Sequence, residues 1–396
     1  MTPPSIPTIH ALRRHVERNH ERATQRLKQI VDHDTPSLDA EATSGAIALI
    51  HGWCEAQGAT VDTIDAGGAH ADHLRARWPA THEPRNHLLI LTHVDTVWPG
   101  DETTRRPFQH DGDRATGPGI FDMKTGIIQS LEAIDAVLAM QPLEHTTLTL
   151  LVTTDEEVGS PTSRDLIERE ASTADVVLVT EPSSDAALKS SRKGVGMYRV
   201  SAHGRSAHAG LEPQAGRSAI LEIARQIPLI DALNDYAVGT TVTVGMIAGG
   251  SARNVVAERC HVDVDVRTMT PEETRRVHEA LLNLRAMGED VTLDVEGGTN
   301  RPVMERTEVT AQLYARAQAI ADHLDEPLSE TAVGGGSDGN FTAALGRPTL
   351  DGLGAVGGGA HALHEWIDVR RSLIQRTSLL AGLLLDLSAT PLQESA

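Results

Sequence analysis

The stretch Leu88-Leu89-Ile90-Leu91-Thr92-His93-Val94-Asp95-Thr96-Val97 constrains the fold of this chain more than any other. Four consecutive aliphatic residues lead toward a histidine, and an acid follows two positions later. An apolar run bounded by polar residues reads as an interior strand of a sheet. In open α/β sheets ligands collect outside the carboxyl ends of the strands. His93 is therefore placed where a metal or substrate would sit. Asp95 is close enough to orient the imidazole, as the partner of a metal-bound histidine usually does.

The rest of the pattern enlarges that strand into a layered domain. Helical spacing over residues 8–31 and 39–57 is followed by strands at 60–65 and 86–92. A helix at 124–140, a strand at 146–154, a short helix at 164–170 and a strand at 175–180 come next. This order fits an α/β domain. The pattern changes near residue 190. A strand at 195–202, a helix at 213–230, strands at 240–247 and 255–268, a helix at 271–287 and a strand at 291–296 spell βαββαβ, the ferredoxin-like unit. The first domain resumes with a helix at 310–323, the loop Gly334-Gly335-Gly336-Ser337-Asp338-Gly339, a short strand at 348–351, a glycine-rich loop to His361 and a closing helix at 367–388. The expected division is 1–190 with 302–396 for the larger domain and 191–301 for the insertion. A chain of 396 residues calls for two domains in any case.

Composition narrows the partners. The net charge is −20, from 55 acids against 35 lysines and arginines. This argues against nucleic acid or an anionic membrane, both of which need positive charge. Cys54 and Cys260 offer neither a disulfide framework nor thiolate metal spacing, and read as reduced thiols of a cytoplasmic protein. The first twenty residues lack the apolar core of a signal peptide, and no apolar run has the length of a membrane span.

Three strand ends carry potential metal ligands: His93, Glu156-Glu157 and Glu181. Asp122 lies in the glycine-stiffened loop Gly117-Pro118-Gly119-Ile120-Phe121-Asp122-Met123-Lys124, and His361 in the late glycine-rich loop. Oxygen and imidazole donors without thiolate suit Zn²⁺, Mn²⁺ or Co²⁺. Charge counting admits two ions. Three carboxylates (Asp122, Glu157, Glu181) leave one positive charge of two divalent ions, which a bridging hydroxide would neutralise, as in two-metal hydrolases. Asp122, on the most rigid loop, is the natural bridge. Of the adjacent Glu156 and Glu157, one can bind metal while the other moves a proton, provided the backbone turns there. Gly159 and Pro161 favour such a turn. Taken singly, each feature has a plainer reading: Glu156-Glu157 as a solvated acidic loop, Asn254 as a turn residue, the 334–339 loop as an anion nest.

Jointly they do not. Thr92-His93-Val94-Asp95-Thr96-Val97, the 117–124 loop, Thr154-Asp155-Glu156-Glu157-Val158-Gly159-Ser160, Thr180-Glu181-Pro182 and the His361 segment resemble, in order, the five metal-site motifs of one family. It is the di-metal hydrolase family of glutamate carboxypeptidase (carboxypeptidase G type), acetylornithine deacetylase, succinyl-diaminopimelate desuccinylase and aminoacylase. The resemblance spans residues 20–390 or so. It implies an α/β/α catalytic domain with a mixed sheet and an inserted ferredoxin-like lid that dimerises. It implies His93, Glu157, Glu181 and His361 as terminal ligands of two ions, most often zinc, with Asp122 as bridge, Glu156 as general base and Asp95 as the partner of His93. His208, in Gly204-Arg205-Ser206-Ala207-His208, resembles a lid histidine that stabilises the oxyanion of the partner subunit's site. Asn254 and Arg267 resemble lid residues that hold the substrate carboxylate, a task suited to the planar arginine fork. Gly335, Gly336 and Ser337 resemble a cleft-lining loop. The implied activity is hydrolysis of an amide next to a free carboxylate in a small peptide. The alternative is deacylation of an N-acyl amino acid, and a third reading is a non-catalytic metal-binding protein. Two departures stand out. His364 occupies a position where relatives often carry Asp or Asn, so the choice of ligand between His361 and His364 is open, with His361 preferred for its spacing to Glu365, which fits the pattern. Phe121 is bulkier than the small residue expected before Asp122.

Overall fold

The computed structural model describes residues 5–392. They form two compact units. The first comprises the described residues up to Ser191, Arg306–Val333, and those from Ser337 onward; the second comprises Arg192–Glu305 with Gly334–Gly336.

The first unit is built on a six-stranded mixed sheet. Its strands are β1 (Thr60–Ile64), β2 (His73–Trp78), β3 (Asn86–His93), β4 (Thr146–Thr153), β5 (Val176–Val179) and a final short strand, Thr349–Leu350. The spatial order is β1-β2-β4-β3-β5 and then Thr349–Leu350. β2 is antiparallel to β1 and β4, while β4, β3, β5 and the last strand run parallel. β3 thus has parallel neighbours on both sides, and both its faces are covered. Leu88 and Ile90 face one core, Leu89 and Leu91 the other. The first core lies under α1 (Ile6–Val31), α2 (Ala40–Ala56), α3 (Thr125–Met140) and the helices Glu308–His323 and Thr377–Ala389; the second lies under α4 (Arg164–Thr173). Burying each such side chain contributes about 1.5–3 kcal/mol. A slip of one residue would exchange the two sets, so the register of β3, and with it the position of His93, is tightly held.

β2 is absent from the sequence expectation, and its chemistry explains why. Leu74, Ala76 and Trp78 are buried, but Arg75 and Arg77 alternate with them and both reach Glu170 of α4, at 2.7 and 2.6 Å. Two charges in six residues mask an interior strand until their partner is known. A second small sheet joins Gln109–Asp111, Arg114–Thr116, Trp366–Asp368 and Gly357–Gly358. It ties the chain entering the Asp122 loop to the chain around His361.

The second unit runs β6 (Gly194–His203), α5 (Ala219–Asp231), β7 (Thr241–Gly249), β8 (Arg259–Thr268), α6 (Pro271–Leu282) and β9 (Thr292–Arg301). This is βαββαβ, with all pairs antiparallel in the order β7-β8-β6-β9. Val200, Ala202, Val262 and Val264 of the sheet pack with Ile223 of α5 and Val277 and Leu281 of α6. α5 begins at Ala219, not 213, because Ser218 caps it by accepting the Leu221 amide at 3.2 Å. α6 ends at Leu282, short of 287, with Asn283 as its cap. Among the described residues no helix is long and apolar enough to cross a membrane.

Candidate metal centre

β3, β4 and β5 are parallel neighbours, so the segments following them leave the sheet at one end. That topology alone brings His93, Glu156, Glu157 and Glu181 to a common rim. Asp122 reaches it from the 117–124 loop and His361 from the glycine-rich loop. Asp122 sits at the centre. Its Oδ1 is 3.6 Å from His93 Nε2, and its Oδ2 is 3.6 Å from His361 Nε2. Glu181 Oε1 lies 3.3 Å from His93 Nε2, and Glu157 Oε2 lies 3.1 Å from His361 Nε2. The arrangement is two imidazole–carboxylate pairs with one carboxylate between them. Donor atoms of His93, Asp122 and Glu157 lie within 4.8 Å of one another, as do those of His93, Glu156 and Glu181. Proximity alone therefore does not separate Glu156 from Glu157. The contact of Glu157 with His361 does distinguish them. His361, and not His364, makes the ion pairs with Asp122 and Glu157.

Each donor is fixed from behind. Asp95 is fully buried. Its carboxylate accepts from Ser37 Oγ at 2.7 Å and from the amides of Glu156 and Glu157, both at 3.1 Å. His93 Nδ1 is 3.1 Å from the Asp95 backbone carbonyl and 3.4 Å from its Oδ1. Asp95 therefore orients the imidazole largely through its carbonyl, while its carboxylate holds the two-glutamate turn. Asp155 helps from the other side by accepting Thr162 N and Oγ1, both at 2.7 Å. The turn after Glu156–Val158 continues through Gly159 at φ 94°.

Glu365 does for Asp122 what Asp95 does for the glutamates. Buried, it accepts the amides of Gly119, Phe121 and Asp122 at 2.9, 2.8 and 3.1 Å. Burial holds its carboxyl above the usual carboxylate range, against the pull of those three amides. Lys124 is also completely buried, with Nζ donating to the His33 carbonyl at 2.8 Å. Phe121 packs in the main core beside Gly357, where a Cβ would stand 3.0 Å from its ring. Its bulk fills the space left by that glycine. Glu181 is set by close backbone packing: a Cβ at Gly126 or at Gly354 would lie 2.1 Å from the Thr180 carbonyl. His361 adopts φ 59°, a left-handed conformation that costs a non-glycine residue energy and that clusters at functional sites.

The electrostatics shows a surplus of negative charge. Burial alone would lower the His93 pKa, but the Asp122, Asp95 and Glu181 carboxylates raise it well above the ordinary value. Glu157 raises His361 to about 9. Burial pushes Glu157 itself up to about 7. Protons are thus drawn to the centre in the role of cations. His93 Nε2 is buried and makes no hydrogen bond of proper geometry among the described residues, though it points at carboxylates. A donor set of imidazoles and carboxylates, short of positive charge and with an imidazole nitrogen directed inward, fits divalent cations.

The remaining candidates lie elsewhere in the chain. His208 is exposed and bridges Val255, while the Asn254 carbonyl accepts the Ala209 amide at 2.9 Å, so His208 and Asn254 are neighbours. Arg267 grips Asp265 of its own strand through Nε and Nη2, at 2.9 and 2.8 Å. Gly335 and Gly336 belong to the second unit, and their carbonyls accept from Arg192 at 3.2 and 3.0 Å. Ser337 belongs to the first unit, is fully buried, and donates to Asp351 at 2.6 Å. Sequence reading assigned no role to Ser37, Glu365 or Lys124. Only the place of Lys124 in the 117–124 loop and the spacing of Glu365 from His361 hinted at one.

The model of peptidase family M20/M25/M40 matches residues 89–386. A carboxypeptidase G2 from Pseudomonas sp. (strain RS-16) is 29% identical over 372 residues, covering 92% of this chain and 88% of the relative. A succinyl-diaminopimelate desuccinylase from Variovorax paradoxus is 28% identical over 340 residues, covering 79% and 85%. The crystal structure of an aminopeptidase PepT from Bacillus cereus superposes with a TM-score of 0.73 at 22% identity, covering 93% of this chain and 99% of that one. The last likeness speaks to the fold alone.

Proposed function

Since the chain belongs to peptidase family M20/M25/M40, hydrolases of C–N bonds, we propose that it cleaves an amide adjacent to a free carboxylate, in the manner of a glutamate carboxypeptidase. The observation that carries this reading is Asp122 placed between two imidazole–carboxylate pairs. His93 with Glu181, and His361 with Glu157, would each hold one divalent ion, with Asp122 shared between them. Zinc suits the thiolate-free donor set; manganese and cobalt are the competitors. When bound, the ions would polarise the scissile carbonyl and acidify a water.

The chain's own residues would do the rest. Asp95 and the Glu156–Val158 turn keep the donors in place. Glu156 would take the proton from the attacking water and pass it to the leaving nitrogen. Arg267, on release from Asp265, and Asn254 would hold the substrate carboxylate. The Gly335-Gly336-Ser337 loop would line the cleft, with Ser337 anchoring it through Asp351. His208 of a second copy would donate to the developing oxyanion, which makes the active form a homodimer joined through the second unit. Two buried, unpaired cysteines suit a cytoplasmic setting.

The similarity to the desuccinylase favours a second reading, deacylation of an N-acyl amino acid. The metal chemistry is the same, and only the side of the amide that is an amino acid differs. A panel of dipeptides, N-acyl amino acids and folate-like conjugates, assayed with Zn²⁺, Mn²⁺ or Co²⁺, separates the two. Turnover of acetylated amino acids alone would replace the carboxypeptidase reading. No turnover with any metal would leave only the non-catalytic alternative. A Glu156→Gln variant as fast as wild type would remove the proton-shuttle role.

A further inference from the structure

Within the first unit, Arg371–Arg376 forms a π-helical turn that leads into the helix Thr377–Ala389. In an α-helix, residues five apart point to different faces. The wider π turn brings such a pair to one side, and turns of this kind are frequent at functional sites. Here the pair is Arg371 and Arg376, and both line a small cavity of about 20 Å³. Glu326 lines it too, and Ala321, Val356 and Leu379 supply apolar wall. None of the metal donors takes part.

Arg376 is a buried cation with a donor to spare. The residue is 6% exposed. Its Nη2 donates to the Ala186 carbonyl, in the segment that follows Glu181. Its Nη1 is buried and has no hydrogen-bond partner among the described residues. Such a group calls for an acceptor. Burial and the neighbouring Arg371 push the Arg376 pKa down to about 10, so the charge persists at pH 7. Glu326 does not balance it. Among the described residues the one ion pair of Glu326 is with Arg13, Oε1 to Nη1 at 4.0 Å, and none joins it to Arg371 or Arg376. Burial holds the Glu326 carboxyl above its ordinary range in spite of the arginines around it. A buried charge without a partner is costly.

Size and charge together select the missing acceptor. A cavity of about 20 Å³ admits one water-sized particle. That excludes phosphate, sulfate and any carboxylate. A water would satisfy Nη1 but leave the buried charge uncompensated. A monoatomic anion does both. We propose that the cavity is a halide site, holding one chloride against Arg376 and Arg371. By fixing Arg376, the ion would fasten the helix Thr377–Ala389 to the segment after Glu181. Its binding does not depend on the hydrolase reading.

The test uses the full chain with its metals, in chloride or methanesulfonate at equal ionic strength. Methanesulfonate is too large for the cavity. Replacing it with chloride should raise the melting temperature by about two degrees or more. Arg371→Gln should abolish that rise. Glu326→Gln removes the competing carboxylate, and should lower the chloride concentration for half the effect by about threefold or more. Arg371 and Glu326 are both partly exposed, so neither change opens the core. A crystal grown in bromide should show an anomalous peak within hydrogen-bond reach of Arg376 Nη1. That peak, with a thermal rise that Arg371→Gln removes, supports the site. No peak there, no rise in the wild type, or a rise that survives Arg371→Gln overturns it: water alone then serves Arg376, or the ion sits elsewhere, the metals included.

Discussion

Glu157, at the rim of the first unit, and Glu273, in the first turn of α6, are the same side chain in opposite circumstances. Glu157 is buried among carboxylates, and burial lifts its carboxyl to about 7. Glu273 is held by Arg276 and by Thr240 Oγ1 at 2.6 Å, and falls to about 2. In the second unit the chain neutralises its own acid. At the rim it gathers more carboxylates than its side chains balance, and a fold keeps such an arrangement when something outside the chain completes it. The contrast bears on the proposed metal centre: the acidic excess at the rim is the charge that divalent cations would balance.

The largest expected effect comes from removing the shared carboxylate. Asp122→Asn should lower kcat/KM on the best substrate by about 10³-fold or more, and elemental analysis should find fewer than one ion per chain. Two ions with wild-type turnover would break the contrast outright. The two imidazoles should then separate in stability. His93 is buried and anchored by Asp95, while the His361 side chain is 52% exposed. In metal-free protein, His93→Ala should cost about 1–3 kcal/mol, because it leaves buried carboxylates without their partner. His361→Ala should cost less, about 0.5–1 kcal/mol, because that ring is half exposed although it too is the partner of the buried Glu157. Urea midpoints measure both, and equal midpoints would show that the loop half is as rigid as the strand half.

Support from behind should count for less than the donors themselves. Asp95→Asn should weaken metal binding by about 10–100-fold in a chelator competition, whereas Asp265→Asn, in the second unit, should leave that affinity unchanged. The smallest effect is the acid dependence of the second unit. The folded carboxyl of Glu273, at about 2, lies below its ordinary 4.5. The unfolded chain therefore binds more protons between those values. The stability from this pair is present above 4.5 and is lost as pH falls toward 2. Glu273→Gln should lower the melting temperature at pH 7 by a few degrees, with the difference closing near pH 2. A difference that persists at pH 2 would show that packing, not ionisation, sets the value.

Much of the fold was legible because its signals are local. β3 and β5 are apolar runs, and the βαββαβ order is plain in the spacing of the second unit. The elements that escaped carry charge or are very short. β2 hides behind Arg75 and Arg77, whose partner Glu170 lies more than ninety positions away. The small sheet around Arg114–Thr116 and Trp366–Asp368 has three-residue strands, too short for periodicity to register. Phe121 had no evident role until Gly357 was found beside its ring.

The inventory of donors and the elements that carry them are properties of the sequence. His93, Glu156, Glu157 and Glu181 follow directly from strands whose parallel pairing puts their ends together, because strand alternation and burial are written residue by residue. Which oxygen faces which ring is not. That the two oxygens of Asp122 face two imidazoles depends on Glu365 gripping three amides across some 240 positions, and on Asp95 dividing its carbonyl and carboxylate between His93 and the glutamate turn. Contacts of that separation leave no periodic trace in a chain. They exist only once the sheet and its loops have closed, and so the tertiary structure alone decided them.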